Sequence, residues 1–230
     1  MNSFSSPASV EERIEEISRQ IEEFKQQHKK LFLTSSLQTH SLPLLHIVHQ
    51  IDASIPVYFL DTGYHFPETI SFKERLKKDF GFNIQEVRSP VDKINQRDDS
   101  GRLMYASEPD YCCYLNKVLP LEPVLQARDV WISGVRASQN TFRSDLKTIE
   151  KGKYDTLRYH PMLAWSSKMI FEYRKMYDLP EHPLEAEGYF SIGCMPCTRN
   201  MDMDGDPREM RWFGLNKTEC GLQTETLEQK

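Results

Sequence analysis

Strand-like runs alternate with helical patterns along this chain, and this alternation restricts the fold more than any other feature. The runs lie at 31–34, 57–60, 83–87 and 130–133. Helices are predicted at 9–30, 42–51, 67–81 and 165–177, with helical material at 110–127. Strands that alternate with helices form mainly parallel sheets covered on both faces. The sequence therefore predicts an α/β fold.

The two ends of the chain differ from this central pattern. Ser9 and Glu12 form a capping box at the start of a charged helix, and the C-terminal part is rich in Gly, Pro, Cys and charge. We therefore expect an N-terminal helix at 1–30, an α/β domain at 31–180 and a Cys-bearing extension at 181–230.

Composition limits the partners and the compartment. The formal net charge is −5 and the isoelectric point about 5.8, which leaves no broad basic face for nucleic acid. No apolar stretch is long enough to cross a membrane, and the N-terminus does not resemble a secretory signal, so a cytoplasmic protein is expected. Trp131, Trp165 and Phe171 occupy core-like positions and are expected to pack inside.

Five cysteines divide into four plus one. Cys112 and Cys113 are adjacent, and Cys194 and Cys197 form a C-x-x-C pair, whereas Cys220 stands apart near the C-terminus. Structural disulfides are rare in the cytoplasm, so clustered cysteines indicate metal or redox chemistry. Cys220 has Lys217 before it and a glycine after it, which suits an exposed, nucleophilic thiolate.

The four paired cysteines suit an iron–sulfur cluster. Four thiolates can bind either a cubane cluster or a tetrahedral zinc ion. Adjacent cysteines suit one small ion poorly because successive side chains diverge, whereas a cluster offers separate iron corners. A cluster is therefore favoured over zinc, and zinc over buried free thiols.

Small polar loops and basic residues indicate an anionic ligand. In parallel α/β sheets ligands bind at the carboxyl ends of strands, which here are followed by 34–41, 60–65 and 133–136. Arginine and lysine are the usual binders of phosphate and sulfate. The candidates are Lys117, Arg136, Arg143, Arg208 and Arg211.

Taken together, these motifs resemble the phosphoadenylyl/adenylyl sulfate reductase family over about 30–223, and specifically its cluster-containing branch. The matching pieces are Leu60-Asp-Thr-Gly63 with Pro67-Glu68, Cys112-Cys113 with Lys117, Ile132-Ser-Gly-Val-Arg136 with Gln139 and Arg143, Gly188 to Thr198, Arg208 with Arg211-Trp212, and Lys217-x-Glu-Cys-Gly-Leu222.

The resemblance implies a fold, a cofactor and a reaction. The fold would be adenine nucleotide α-hydrolase-like, and Cys112, Cys113, Cys194 and Cys197 would hold a [4Fe-4S] cluster. Cys220 would attack the sulfur of adenylyl sulfate, giving AMP and an S-sulfocysteine from which thioredoxin or glutaredoxin releases sulfite. The implied substrate-binding residues are Ser35, Ser36, Leu60, Asp61, Thr62, Gly63, Lys117, Gly134, Arg136, Arg143, Arg208 and Arg211. A homo-oligomer is left open.

Several positions depart from the family pattern. The loop 35–41 lacks the usual glycine, and Gln223 replaces a histidine, so it cannot titrate. Asn116, Ala137 and Met210 also differ from the residues common in the family. Three alternatives remain: a reductase that also or mainly uses the 3′-phosphorylated nucleotide, an ATP pyrophosphatase-type enzyme of the same fold, and a non-enzymatic cluster-binding redox sensor.

Overall fold

A computed structural model describes residues 8–200, 211, 212, 217 and 219–224. In this part of the chain six strands form one sheet in the order β3-β2-β1-β4-β6-β5. The strands are β1 (Leu31–Thr34), β2 (Val57–Asp61), β3 (Ile84–Arg88), β4 (Val130–Ser133), β5 (Ile149–Lys151) and β6 (Leu157–Tyr159). All neighbouring strands are parallel except β5, which pairs antiparallel with β6.

Helices connect the strands. The α-helices among the described residues are α1 (Val10–Gln26), α2 (Leu42–Ile51), α3 (Pro67–Phe80), α4 (Met104–Ser107), α5 (Pro109–Cys113), α6 (Glu122–Ala127), α7 (Thr141–Ser144), α8 (Ser167–Met176) and α9 (Gly221–Thr224). Short 3₁₀ turns lie at Thr39–Ser41, Lys93–Asn95, Leu119–Leu121, Ala137–Gln139, Lys153–Asp155, Pro183–Glu187 and Met195–Cys197, and one π-helical turn lies at Tyr114–Val118. None of the described helices is both long and apolar enough to cross a membrane.

Apolar side chains cover both faces of the sheet. Successive residues of a strand point to opposite faces, and in β1 Leu31 and Leu33 join one buried cluster while Phe32 joins another. The larger cluster contains side chains of α1, α2 and α8, and the smaller one contains Trp131 and Leu222. The predicted parallel sheet with helices is confirmed, and so is the capping box that starts α1.

Three details differ from the sequence-based expectation. The helical segment at 110–127 is divided into several turns, because Pro120 lacks the N–H that a continuous helix requires. Strands β5 and β6 were not predicted, since each has only three residues and both carry charged side chains. Phe171 is 53 % exposed, so its expected packing is wrong: α8 instead buries Ile170 and Tyr173. The division into three parts stays a prediction.

A buried histidine at the start of the C-terminal extension forms a hydrogen bond with helix α3 of the sheet domain. His182 is 1 % exposed, and its Nδ1 accepts a hydrogen bond from the Leu184 amide at 3.3 Å. Its Nε2 is therefore the protonated nitrogen and donates to Thr69 Oγ1 at 3.0 Å. Burial lowers the pKa of His182 to about 4, although the carboxylate of Glu68 acts in the opposite direction.

This neutral histidine should make stability depend on pH. An unfolded chain binds the proton near pH 6.5, whereas the folded chain binds it only near pH 4. Stability present above pH 6.5 is therefore lost as the pH falls toward 4, by up to roughly 3 kcal/mol for this group. Urea unfolding between pH 7 and 4.5 should show a smaller loss in His182→Gln than in the unaltered chain. The exposed His28→Gln is the control, and identical pH profiles for all three proteins would contradict the expectation.

Candidate active site

Loops at the carboxyl ends of the central strands enclose a large cavity. Its volume is about 480 Å³, within the range of small-molecule sites. Ser35 and Ser36 line it after β1, Leu60 at the end of β2, and Gly134 after β4. These predicted nucleotide-binding residues therefore share one pocket.

The loop after β1 turns without glycine. Leu37 takes a left-handed backbone conformation at φ 57°, which is uncommon for a bulky residue, and its side chain is fully buried. The Leu37 amide donates to Ser35 Oγ at 3.1 Å, and Gln38 donates from Nε2 to Ser36 Oγ at 3.2 Å. Local hydrogen bonds and core packing thus hold a turn that the family usually makes with glycine.

Residues 61–63 do not line this cavity. The Asp61 carboxylate accepts from the Gly63 amide at 2.9 Å and pairs with Arg88 at 2.8 Å. Burial opposes ionisation, but these two donors keep the pKa of Asp61 below its ordinary value. Thr62 points instead toward Cys194, with Oγ1 at 3.2 Å from Sγ. Their predicted contact with a nucleotide stays a prediction.

The four paired cysteines surround a second, smaller cavity. Cys112 and Cys113 end α5, Cys194 precedes the turn Met195–Cys197, and Cys197 is the last residue of that turn. All four line this cavity together with Thr62, Lys117 and Arg211. A backbone bridge between His65 and Cys194 joins the second pair to the region after β2. The structure therefore brings together two segments that lie about eighty residues apart in the chain.

The thiols ring the cavity without meeting at one point. Among the described residues, no three His, Cys, Asp or Glu side chains are placed to hold a single metal ion. Burial and the neighbouring thiols raise the pKa of Cys197 to about 11, and burial also raises the pKa of Cys112. As free thiols these groups would be neutral. A bound cationic group would be needed to hold them as thiolates.

Cys220 lies in the large cavity beside Lys117, a residue that lines both cavities. Its thiol lines the large cavity, and Lys117 donates from Nζ to its Sγ at 3.5 Å. A hydrogen bond from the Cys113 thiol and the charge of Lys117 hold the pKa of Cys220 well below its ordinary value, against the effect of burial. The same hydrogen bond raises the pKa of Cys113. Of the two, Cys220 is the thiol poised as a nucleophile.

Lys117 lines both cavities. Burial disfavours its ammonium form, yet the negative charge of a Cys220 thiolate raises its pKa above the ordinary value. The residue follows Asn116 in the π-helical turn, a distortion that often occurs at functional sites. Lys117 is therefore a charged group beside the nucleophilic thiol.

Arg143 already has a protein partner. It is buried, and its Nε and Nη2 donate to the two carboxylate oxygens of Glu219 at 2.7 and 2.9 Å. Asn140 donates to the same carboxylate at 2.8 Å, and so does the backbone amide of Cys220, also at 2.8 Å. Arg143 also lines the large cavity, and its predicted role in substrate binding stays a prediction.

Two other predicted arginines face the large cavity. Arg136 donates to Ser167 Oγ at 3.2 Å, while its buried Nε has no hydrogen-bond partner among the described residues. Arg211 donates to the carbonyls of Cys197 and Ile192, and its guanidinium crosses so close to Gly193 that any Cβ there would collide with it. Arg208 lies outside the described residues.

Sequence reasoning missed the residues that hold the Cys220 segment. Glu219 is buried beside the nucleophile, and Arg158 of β6 binds Gln223. The position of Glu219 next to Cys220 was the only available signal for its role. Arg158 carried no signal, because its strand was not predicted.

Comparison with known proteins gives the family of this chain. The family model for the phosphoadenosine phosphosulfate reductase domain matches residues 30–200. The chain is 37 % identical over 194 residues to an adenosine 5′-phosphosulfate reductase of Chelativorans sp. (strain BNC1), covering 84 % of this chain and 79 % of that protein. It is 35 % identical over 201 residues to the protein of that name from Bacillus cytotoxicus, covering 86 % of each.

A solved structure shows the same fold. The phosphoadenylyl-sulfate reductase of Candida auris, crystallised with phosphate, aligns with a TM-score of 0.64 at 20 % identity, over 85 % of this chain and all of that one. Because the family model covers well over half of the chain, and relatives above 30 % identity cover most of it, this chain belongs to the phosphoadenosine phosphosulfate reductase family.

Proposed function

We propose that this chain reduces adenosine 5′-phosphosulfate to sulfite and AMP, with Cys220 as the nucleophile. The observation that carries the proposal is the position of the Cys220 thiol, 3.5 Å from Lys117 Nζ in a nucleotide-sized cavity. The names of the relatives agree with this substrate.

The first step is transfer of the sulfuryl group. The Cys220 thiolate attacks the sulfur of the substrate, a new S–S bond forms, and the S–O bond to the phosphate breaks with its electron pair going to AMP. Lys117, with Arg136 and Arg211, would neutralise the anion that otherwise repels a thiolate and would stabilise charge on the departing phosphate. The product is an S-sulfocysteine at position 220.

The second step needs two electrons from a dithiol. A thiolate of thioredoxin or glutaredoxin attacks Cys220 Sγ, sulfite leaves with the electron pair of the S–S bond, and a mixed disulfide forms. The second thiol of the donor then closes its own disulfide and restores the Cys220 thiol. For this handover the C-terminal segment has to move, so that the thiolate of the donor can reach Cys220 Sγ.

We also propose that Cys112, Cys113, Cys194 and Cys197 hold a [4Fe-4S] cluster. Four thiols from two segments line one cavity, and their spread around it suits a cubane with separate corners better than a single zinc ion. Lys117 and Arg211, which line the same cavity, would balance the negative charge of the thiolates. When bound, the cluster would tie the two segments together and supply an electrostatic field beside Cys220.

Mass spectrometry tests the covalent step directly. Trypsin releases residues 218–230 as a peptide in which Cys220 is the only cysteine. After incubation with adenosine 5′-phosphosulfate without reductant, this peptide should carry a sulfonate, and reduced thioredoxin should remove it with release of an equal amount of sulfite. Consumption of the nucleotide without this adduct would overturn the mechanism, and absence of any turnover would favour a redox sensor.

The 3′-phosphorylated nucleotide is the second candidate substrate. The family model and the Candida auris structure both carry its name. The same experiment run with each nucleotide at equal concentration decides between them, since the preferred substrate labels Cys220 faster.

A further inference from the structure

Arg158 is a fully buried arginine whose best partners come from the C-terminal segment. It lies in β6 with no exposed surface, and its guanidinium stacks on the Trp131 ring at 4.9 Å from the centroid. A buried guanidinium requires hydrogen-bond acceptors, because it has left water behind. Glu150 approaches only to 3.6 Å, and Arg158 Nε has no partner among the described residues.

Gln223 supplies the acceptors that Arg158 lacks. Arg158 Nη2 donates to Gln223 Oε1 at 2.7 Å, and Nη1 donates to the Gln223 carbonyl at 3.2 Å. Gln223 also contacts the nucleophilic residue itself, because the backbone N–H of Gln223 donates to the Cys220 carbonyl at 2.8 Å. The contact between Arg158 and Gln223 therefore fixes the turn that carries Cys220.

A second arginine binds the same segment at a different residue, Glu219. Arg143 binds the Glu219 carboxylate through two nitrogens, and that carboxylate also accepts from the Cys220 amide. Between the two arginine contacts, Leu222 is buried against Trp131 and Leu60. The segment that carries Cys220 is thus held by two polar contacts, at Glu219 and Gln223, and by one apolar contact, at Leu222.

We propose that Arg158 is a positioning residue, which docks the segment 219–223 through Gln223 while Arg143 docks it through Glu219, and so holds the Cys220 thiol beside Lys117. The inference rests on the proposed role of Cys220 as nucleophile. It gives Arg158 a function in the reductase although its side chain faces the segment rather than the substrate.

The docking also accounts for glutamine at position 223. A protonated imidazole would repel the Arg158 guanidinium, whereas an amide presents an oxygen acceptor and no charge. Because Gln223 is neutral, its bond to Arg158 is weaker than an ion pair, which lets the segment leave when Cys220 must meet a protein dithiol. Glutamine therefore keeps the contact between Arg158 and the C-terminal segment, whereas a histidine at this position could take up a proton and repel Arg158.

Hydrogen exchange of the C-terminal segment tests the proposal on the purified protein with its cluster. Gln223→Met removes the acceptor but keeps an apolar side chain, and amides of residues 219–224 should exchange roughly tenfold faster. Gln223→Glu keeps an acceptor for Arg158 and should exchange at or below the unaltered rate. Gln85→Met, on an exposed side of β3, is the matched control and should leave the segment unchanged.

A second measurement needs no catalysis. Iodoacetamide labelling of Cys220, followed in the tryptic peptide 218–230, should be faster in Gln223→Met than in Gln85→Met, and equal in urea where no docking survives. Exchange and labelling in Gln223→Met at the unaltered rates would overturn the docking role. Neither readout involves turnover, so the docking proposal and the proposed function can fail separately. The docking role can be wrong while the sulfonate adduct still forms, and it can be right when no adduct is found.

Discussion

Replacement of Cys220 by serine is expected to abolish sulfite release, with a loss of at least about 10⁴-fold in rate. A hydroxyl beside Lys117 is not ionised at neutral pH and is a far weaker nucleophile than a thiolate. The steady-state rate with reduced thioredoxin and the sulfonate adduct on peptide 218–230 measure the loss. The brown chromophore and iron content should remain, since Cys220 is separate from the four proposed cluster ligands.

Cys197→Ser is the matched control for this experiment. The same atom exchange there should remove much of the iron and the visible absorbance, because serine is a poor ligand for a cluster. If Cys220→Ser kept substantial activity, another group would have to accept the sulfuryl group. If Cys197→Ser kept the full chromophore, the proposed ligand set would be wrong.

Replacement of Lys117 by alanine should slow the transfer of the sulfuryl group by about 10²–10³-fold, the usual effect of removing one donor that stabilises a developing charge. Lys117 contacts the thiol of Cys220 and lines both cavities, so its charge both favours the thiolate and opposes the repulsion between thiolate and substrate. The rate of adduct formation in a single turnover, without thioredoxin, isolates this step from the later release of sulfite.

Two variants frame the result for Lys117. Lys117→Arg keeps the positive charge and should recover part of the lost rate. Lys147→Met removes an exposed lysine that is not part of the proposed site, and this variant should react normally. A single-turnover rate in Lys117→Ala within about threefold of the unaltered protein would show that the ammonium group does not act on the transfer.

The two arginine contacts change how the basic residues are understood. From sequence, Arg143 was grouped with the substrate-binding cations, but its guanidinium is bound to Glu219 in the structure. Lys117, Arg136 and Arg211 also line the large cavity, and none of them pairs with a carboxylate of the described residues. The distinction matters for mutagenesis, because loss of Arg143 would disturb the position of Cys220 as well as any contact with substrate.

The sequence by itself determined the four longer strands of the sheet and the residue types of the site. Runs such as 31–34 and 130–133 predict strands because each is a short apolar segment that can be recognised from its own residues. The separation of Cys220 from the paired cysteines is likewise visible in the sequence. The short strand β6 was not visible, since three residues with a central arginine carry no periodic pattern.

Only the tertiary structure decided which side chains face one another. The contacts of Arg143 with Glu219 and of Arg158 with Gln223 join residues 76 and 65 positions apart. The same holds for Thr62, whose motif predicted a nucleotide loop but whose hydroxyl lies against Cys194. Local sequence determines whether a segment forms a strand or a helix, whereas the partner of a buried polar group depends on which segments the packing of the core brings together.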